Sequence, residues 1–253
     1  MSNIVQFTMI KGGNMKKKVL LIIPAYNEEK NILSVIDKIK LFNEKNNVNY
    51  DYIVINDGSN DSTKDILIKN EINHISLIHN LGIGGAVQTG YKYAYKEGYD
   101  IAIQFDGDGQ HKVEYVEKLI QNMEKNDLDL VIGSRYVNSA GEFKSTALRR
   151  IGIKIISFVI KVFTGKKITD TTSGFRACNK RIIEYFSSEY PLEYPEPIST
   201  TVLIKKGYKV GECHVEMNAR EGGKSSIRTW KTIYYMFNVI LSIVVTCLRR
   251  YKN

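Results

Sequence analysis

Residues 106–111 read Asp-Gly-Asp-Gly-Gln-His and follow the apolar run 101–105, so two carboxylates stand one glycine apart where a strand opens into a loop. Two positions apart in an extended segment, Asp106 and Asp108 point to the same side. Like charges held that close either share a cation or are solvated in a turn. Hard oxygens at this spacing suit Mg²⁺ or Mn²⁺, which keeps several waters and bridges phosphate oxygens. Gln110 or His111 can complete such a shell. By itself the pattern fits both readings, because turns are rich in the same residues.

The surrounding elements weigh the choice. Short β-branched runs alternate with helical patterns from Val19 onward, the pattern of parallel strands joined by crossover helices. Strands are expected at 19–23, 52–56, 75–79, 101–105 and 128–134, with helices over about 28–43 and through Ala94. Ser62 or Asp61 is placed to cap the helix after the second strand. These runs are nearly continuous in apolar residues, as strands covered on both faces are. Ligands of such sheets bind at the carboxyl ends of the strands. There stand Tyr26-Asn27-Glu28, Asn56-Asp57-Gly58-Ser59, residues 80–85, Asp106 to Gln110, and Arg135. Five strand ends delivering polar groups to one edge favour a binding site over a chance turn. The segment LGIGGAVQTG lacks the third glycine of a dinucleotide fingerprint, having Val87 there, and follows the third strand instead of the first.

The 253 residues are 43% hydrophobic and 25% charged, an ordinary globular composition able to bury a sizeable core. Three distant cysteines, Cys178, Cys213 and Cys247, form neither a disulfide framework nor a zinc spacing, which points to a reducing compartment. The formal net charge is +9, and from Lys205 onward ten Lys or Arg face three Glu, a local +7. A basic end can meet anionic lipid, phosphorylated substrate or nucleic acid, but no nucleic-acid-reading motif accompanies it.

IIPAYNEE, VINDGSNDST, HNLGIGGAVQTG, QFDGDGQH, VIGSRY and TSGFRA occur in that order. The chain thereby resembles family-2 glycosyltransferases of the GT-A fold over about 19–226, and most closely the polyprenyl-phosphate group that includes the dolichyl-phosphate mannose synthases. Asn56 departs from the pattern, standing where many relatives have the first Asp of DDGS, while Asp57 is retained. The resemblance implies an α/β fold with a Rossmann-like, mostly parallel sheet and flanking helices. It also implies that Tyr26, Glu28 and Asp57 hold the nucleoside of a nucleotide-sugar, with Pro24 and Gly84 also on the substrate side. Asp106 would face the ribose and the metal, Asp108 and Gln110 would ligate Mg²⁺ or Mn²⁺, and Arg135 would meet phosphate. Ser173, Gly174, Phe175 and Arg176 would line the acceptor side, and Arg220 and Lys224 would close over the phosphates as a mobile loop. Arg176 has a competing reading as a structural salt bridge with Asp170.

The chemistry is consistent with those assignments. A leaving nucleotide diphosphate needs a divalent metal and Arg or Lys to neutralise it. A hydroxyl acceptor needs a general base, whereas a lipid monophosphate, with a second pKa near ~6, arrives anionic and needs cations. Glu196, between two prolines, can serve as that base or complement a helix N-terminus. His111 is placed for a supporting role beside the metal, and His79 for a scaffold role.

Two segments suggest membrane contact. Residues 151–163, with Arg150, Lys154, Ser157 and Lys161 at spacings of three and four, form a basic amphipathic helix. Residues 233–248 are uncharged and end at Arg249 and Arg250; at ~1.5 Å per residue they are too short for a ~30 Å bilayer core. The expected division is an extension at 1–14, a catalytic domain at 15–227 and a membrane-associating C-terminal helix at 228–253. The whole reads as a peripheral enzyme on the cytoplasmic face of the cell membrane, with a small integral membrane protein as a candidate partner. It would transfer sugar from a nucleotide-sugar to a polyprenyl phosphate. Two alternatives are a transferase acting on a saccharide hydroxyl and a nucleotide-sugar-binding protein without turnover.

Overall fold

The computed structural model describes residues 17–137, 147–218 and 229–249, with only the backbone described at 147–149 and 229–235. The elements run β1 (Val19–Ala25), α1 (Ile32–Asn46), β2 (Tyr50–Asn56), α2 (Thr63–Lys69), β3 (His74–Ser76), α3 (Gly82–Lys96), β4 (Ile101–Gln104) and α4 (Glu114–Lys125). They continue with β5 (Leu130–Ser134), α5 (Ala147–Thr164), β6 (Arg176–Asn179), α6 (Lys180–Ser188), α7 (Pro195–Lys205), β7 (Val210–His214) and α8 (Thr229–Leu248). The strands form one sheet in the order β3-β2-β1-β4-β6-β5-β7.

β1 explains why its sequence is apolar throughout. Val19, Leu21, Ile23 and Ala25 pack on one face with Ile32, Val35, Ile36 and Ile39 of α1 and Val116 and Leu119 of α4. Leu20 and Ile22 pack on the other with Ala86, Val87 and Tyr91 of α3 and Ile182 and Phe186 of α6. Each fully buried Leu or Ile contributes ~1.5–3 kcal/mol relative to exposure.

The glycines of α3 serve this packing. A Cβ on Gly90 would lie 2.2 Å from Ile22 Cγ2, and one on Gly84 would lie 2.3 Å from the Leu192 carbonyl oxygen. Close approach to β1 accounts for Gly90, and close approach to the backbone of residues 191–192 gives Gly84 a packing reason independent of any ligand.

Three local expectations are corrected. Helix α1 begins at Ile32 and not near Glu28, because the Glu28 and Glu29 amides donate to Thr63 Oγ1 and an Asp61 carboxylate oxygen. Those bonds tie 28–29 to the loop after β2 and keep the segment out of the helix. β3 ends at Ser76, two residues beyond which Ile78 is 91% exposed. Strand β6, absent from the sequence reading, lies antiparallel between β4 and β5, with Gln104 opposite Arg176.

Candidate active site

The carboxyl ends of β1, β2 and β4 and the start of β6 meet at one edge. After β4 the burial alternates: Asp106, Asp108 and Gln110 are partly exposed, while Gly107, Gly109 and His111 are buried. The three expected metal ligands are therefore the solvent-accessible positions of the loop. Asp108 Oδ1 accepts the Gln110 amide at 3.0 Å, and Gly109 takes φ +78°, a left-handed conformation that glycine adopts without strain. Gly107 fits under this loop because a Cβ there would come within 3.0 Å of the Pro24 carbonyl oxygen. Pro24 itself is buried in β1.

His111 holds the loop from below. Its Nδ1 accepts the Asp106 backbone N–H at 2.9 Å, and Nε2 lies 3.5 Å from Asp106 Oδ2. The ring stacks on Phe175 at 4.6 Å and meets Phe105 edge-on at 5.6 Å. Burial pushes its pKa down to about 3, so the ring is neutral. Phe175, expected on the acceptor side, is fully buried as part of this stack.

The segment before β6 is pinned at nearly every residue. Glu212 of β7 accepts the Thr169 and Asp170 amides, both at 2.8 Å. Asp170, fully buried, accepts from the Arg135 amide at 3.0 Å, Nε at 2.7 Å and Nη2 at 2.8 Å. Ser173 Oγ donates to the Gly133 carbonyl at 2.6 Å. Gly174 then faces the acids: a Cβ on it would meet Gln104 Nε2 at 2.7 Å and Asp106 Oδ1 at 3.3 Å.

The arginines are redistributed relative to expectation. Arg135 is 7% exposed and engaged by Asp170 and by Thr172 Oγ1 at 3.2 Å, so it does not present an open guanidinium to phosphate. The nearby Asp106 charge adds to the Asp170 pair in holding its proton, raising its pKa against the opposing effect of burial. Arg176, fully buried, donates to the Ser173 carbonyl at 2.8 Å and to Ser199 Oγ at 2.9 Å. The Asp170 pair expected for Arg176 thus belongs to Arg135. Glu196 sits in the first turn of α7, and its carboxyl pKa is raised by burial against the attraction of Arg176.

On the nucleoside side, Tyr26 is 45% exposed and Glu28 is partly buried, its Oε2 accepting from Asn31 Nδ2 at 2.7 Å. Asp57 is 3% exposed, and its Oδ1 accepts the Leu81 amide at 2.7 Å, which anchors the start of α3. Burial raises its pKa against the opposing pull of the Leu81 and Gly82 amides. His79 is exposed, and no side-chain bond joins it to the described residues, so the scaffold role expected of it is not seen. Arg220 and Lys224 lie outside the described residues, as does the extension at 1–14. Asn218 joins the acid loop, its amide donating to the Gln110 carbonyl at 2.9 Å.

Four cations the sequence reading did not assign to the site lie next to it. Arg150, Lys154 and Lys161 of α5 and Lys167 line a cavity of about 460 Å³ together with Tyr136 and Phe158. Tyr136 adjoins Arg135, whose guanidinium carbon lies 5.5 Å from its ring centre. The four cations form no ion pair with the described residues. Spacing of three to four along 150–161 was the available signal, but a half-buried helix gives the same pattern.

The expected donor set, two carboxylates and an amide oxygen, is all hard and would leave half of an octahedral shell to water and phosphate, which suits Mg²⁺ or Mn²⁺. Among the described residues no three His, Cys, Asp or Glu side chains form a closed cage. The family model for glycosyl transferase family 2 matches residues 20–186. The chain belongs to glycosyl transferase family 2. It is 36% identical over 221 residues to a UDP-N-acetylglucosamine–dolichyl-phosphate N-acetylglucosaminyltransferase of Methanococcus voltae, covering 79% of this chain and 85% of that one. It is 28% identical over 233 residues to a polyprenol monophosphomannose synthase of Mycolicibacterium smegmatis, covering 88% and 86%. Glucosyl-3-phosphoglycerate synthase of Mycobacterium tuberculosis, solved with Mn²⁺, UDP-glucose and phosphoglyceric acid, shares the fold. Its TM-score is 0.67 at 17% identity, covering 93% of this chain and 81% of that one. The chain is thus a glycosyltransferase with a GT-A-like fold.

Proposed function

We propose that this enzyme is a metal-dependent, inverting transferase that moves a sugar from a nucleotide-sugar, UDP-linked by preference, onto a polyprenyl phosphate at the membrane surface. The observation that carries the reading is a juxtaposition: the partly exposed Asp106, Asp108 and Gln110 lie toward Arg135, and its neighbour Tyr136 lines the cavity of four cations that form no ion pair with the described residues. The two relatives named above, both transferring to polyprenyl-type phosphates by name, support it.

Asp106, Asp108 and Gln110 would hold Mg²⁺ or Mn²⁺, which when bound supplies positive charge to the departing diphosphate. Arg150 and Lys154 would receive the acceptor phosphate, already anionic at neutral pH because its second pKa is near ~6. Its oxygen attacks the anomeric carbon from the face opposite the diphosphate. The new C–O bond forms as the bond to the diphosphate breaks, the configuration inverts, and no general base is required. Ser173, Gly174 and the pinned 169–176 segment fix the floor of the cleft, and Gly174 leaves space beside Asp106.

Access to a lipid acceptor follows from the outer helices. Ile151, Ile155, Phe158 and Val162 of α5 are 43–66% exposed in a row along one face, and Phe237, Leu241, Val245 and Leu248 of α8 are 51–72% exposed. The two helices pack through Ile156, Ile160, Val239 and Ile243. Among the described residues no helix is long and apolar enough to cross a membrane. On α5 the apolar row lies next to the cation row, so seating the former at the acyl boundary brings the latter to headgroup level. The reading therefore places the enzyme peripherally on the cytoplasmic face, and the same ridges would serve a small integral membrane partner.

The test incubates purified protein and Mn²⁺ with labelled nucleotide-sugars and undecaprenyl phosphate, followed by organic extraction. Label entering the organic phase with wild type and not with Asp108→Ala is the expected result. Label reaching only a saccharide acceptor would replace this reading with hydroxyl transfer, for which the partly buried Glu196 is the candidate base.

A further inference from the structure

The ring of His111 touches one residue with both nitrogens. Nδ1 accepts the backbone N–H of Asp106 at 2.9 Å, and Nε2 lies 3.5 Å from its Oδ2. A ring that accepts at Nδ1 carries its proton on Nε2, so the N–H faces the carboxylate. The imidazole cannot turn away from this arrangement. Phe175 stacks on one face at 4.6 Å with 16° between planes, and Phe105 closes another side at 5.6 Å and 76°. The His111 side chain is 2% exposed while that of Asp106 is 33% exposed. One aromatic slot thus links a buried ring to the carboxylate that opens on the cleft.

We infer that His111 is a positioning residue that orients the Asp106 carboxylate for the divalent cation, with Phe175 fixing the ring that does so. The inference rests on the donor-site reading above. It gives Phe175 a part in the donor site in place of the acceptor wall, because β6 threads the ring of its first neighbour beneath the acid loop. It also accounts for how Asp106 keeps its orientation beside Gly107, while Asp108 is held within the loop by the Gln110 amide. Groups that orient a metal ligand from behind typically govern affinity by 10–100-fold.

The experiment measures Mn²⁺ binding by electron paramagnetic resonance in the presence of UDP, without turnover, alongside thermal melting. His111→Phe keeps the stacking surface and removes both nitrogens. His111→Asn offers an oxygen near the Nδ1 position to accept the Asp106 amide and leaves the carboxylate without its donor. His111→Phe is expected to bind Mn²⁺ at least about tenfold more weakly, with His111→Asn intermediate. In kinetics, the KM for Mn²⁺ rises while that for the lipid acceptor stays near wild type, a split that general loosening would not produce. A folded His111→Phe protein that binds Mn²⁺ as wild type does overturns the inference. If His111→Phe fails to melt cooperatively, the decision falls to His111→Asn, and wild-type affinity there overturns it equally. Wild-type protein that takes up no Mn²⁺ with UDP overturns the donor-site reading itself, and this inference with it.

Discussion

Replacing Asp170 by Asn tests whether Arg135 is a buried structural cation or an open phosphate ligand. Asp170 is fully buried and takes three donors from Arg135, two of them from the guanidinium at 2.7 and 2.8 Å. Arg135 is itself only 7% exposed. Removing one member of such a pair leaves an uncompensated buried charge, at a cost of roughly 3–5 kcal/mol. Two features place the outcome at the lower end: Thr172 Oγ1 still accepts from Nη2 at 3.2 Å, and the Asp106 charge is close enough to attract the guanidinium. A loss of about 3 kcal/mol corresponds to a fall in melting temperature of about 6–12 °C for a domain of this size. Differential scanning calorimetry of wild type and Asp170→Asn measures it directly. The double substitution Arg135→Met/Asp170→Leu removes both charges and is expected to recover much of the loss, because apolar replacement of a buried pair is often close to neutral. An Asp170→Asn protein that melts within about 2 °C of wild type would refute the assignment of Arg135 to a buried pair.

Gly174→Ala would push a methyl against Gln104 Nε2 and Asp106 Oδ1, at 2.7 and 3.3 Å. Transfer activity is expected to fall about tenfold or more, as misplacement near a reacting centre does, with the far-ultraviolet circular dichroism unchanged. The pKa of His111 is lowered to about 3 in the folded chain against 6.5, so protonation favours unfolding. Its contribution is fully present above pH 6.5 and is lost as pH falls toward 3, at up to about 1.4 kcal/mol per unit. His111→Phe should lack this slope, so urea midpoints of the two proteins converge between pH 6.5 and 4.5; parallel curves would contradict a neutral buried ring. Phe158→Asp and Leu241→Asp each place a charge on an exposed apolar ridge, 66% and 51% exposed. Both are expected to reduce co-sedimentation with anionic vesicles and to leave the melting temperature within about 2 °C, since neither position is in the core. Unchanged vesicle binding would argue against the ridges as the membrane face.

Much of the site was legible because its residues are local in the chain. Asp106, Asp108 and Gln110 fall at alternate positions of one short loop, and although it turns at Gly109 with φ +78° the three remain its partly exposed positions. The strands β1, β2, β4 and β5 were legible for a similar reason: both their faces are covered, so their runs are continuously apolar. β6 was not, since its four residues include the fully buried Arg176 and carry no alternation or apolar run. The roles of the arginines were equally hidden. Whether Arg135 or Arg176 pairs with Asp170 depends on how the 169–176 segment is pinned to β7 by Glu212, a contact between residues more than forty apart.

The amino-acid sequence by itself determined the class of fold, the edge of the sheet that carries the site and the acidic loop with its hard oxygens, because these depend on periodicity and near-neighbour geometry. Tertiary structure decided which charges remain open for chemistry. Arg135 and Arg176 are absorbed into buried hydrogen-bonded networks, while Arg150, Lys154, Lys161 and Lys167 line a cavity and form no ion pair with the described residues. It also decided that Phe175 lies beneath His111. The physical reason is common to both: a charge or a ring takes its role from the partners that burial brings to it, and those partners come from distant parts of the chain.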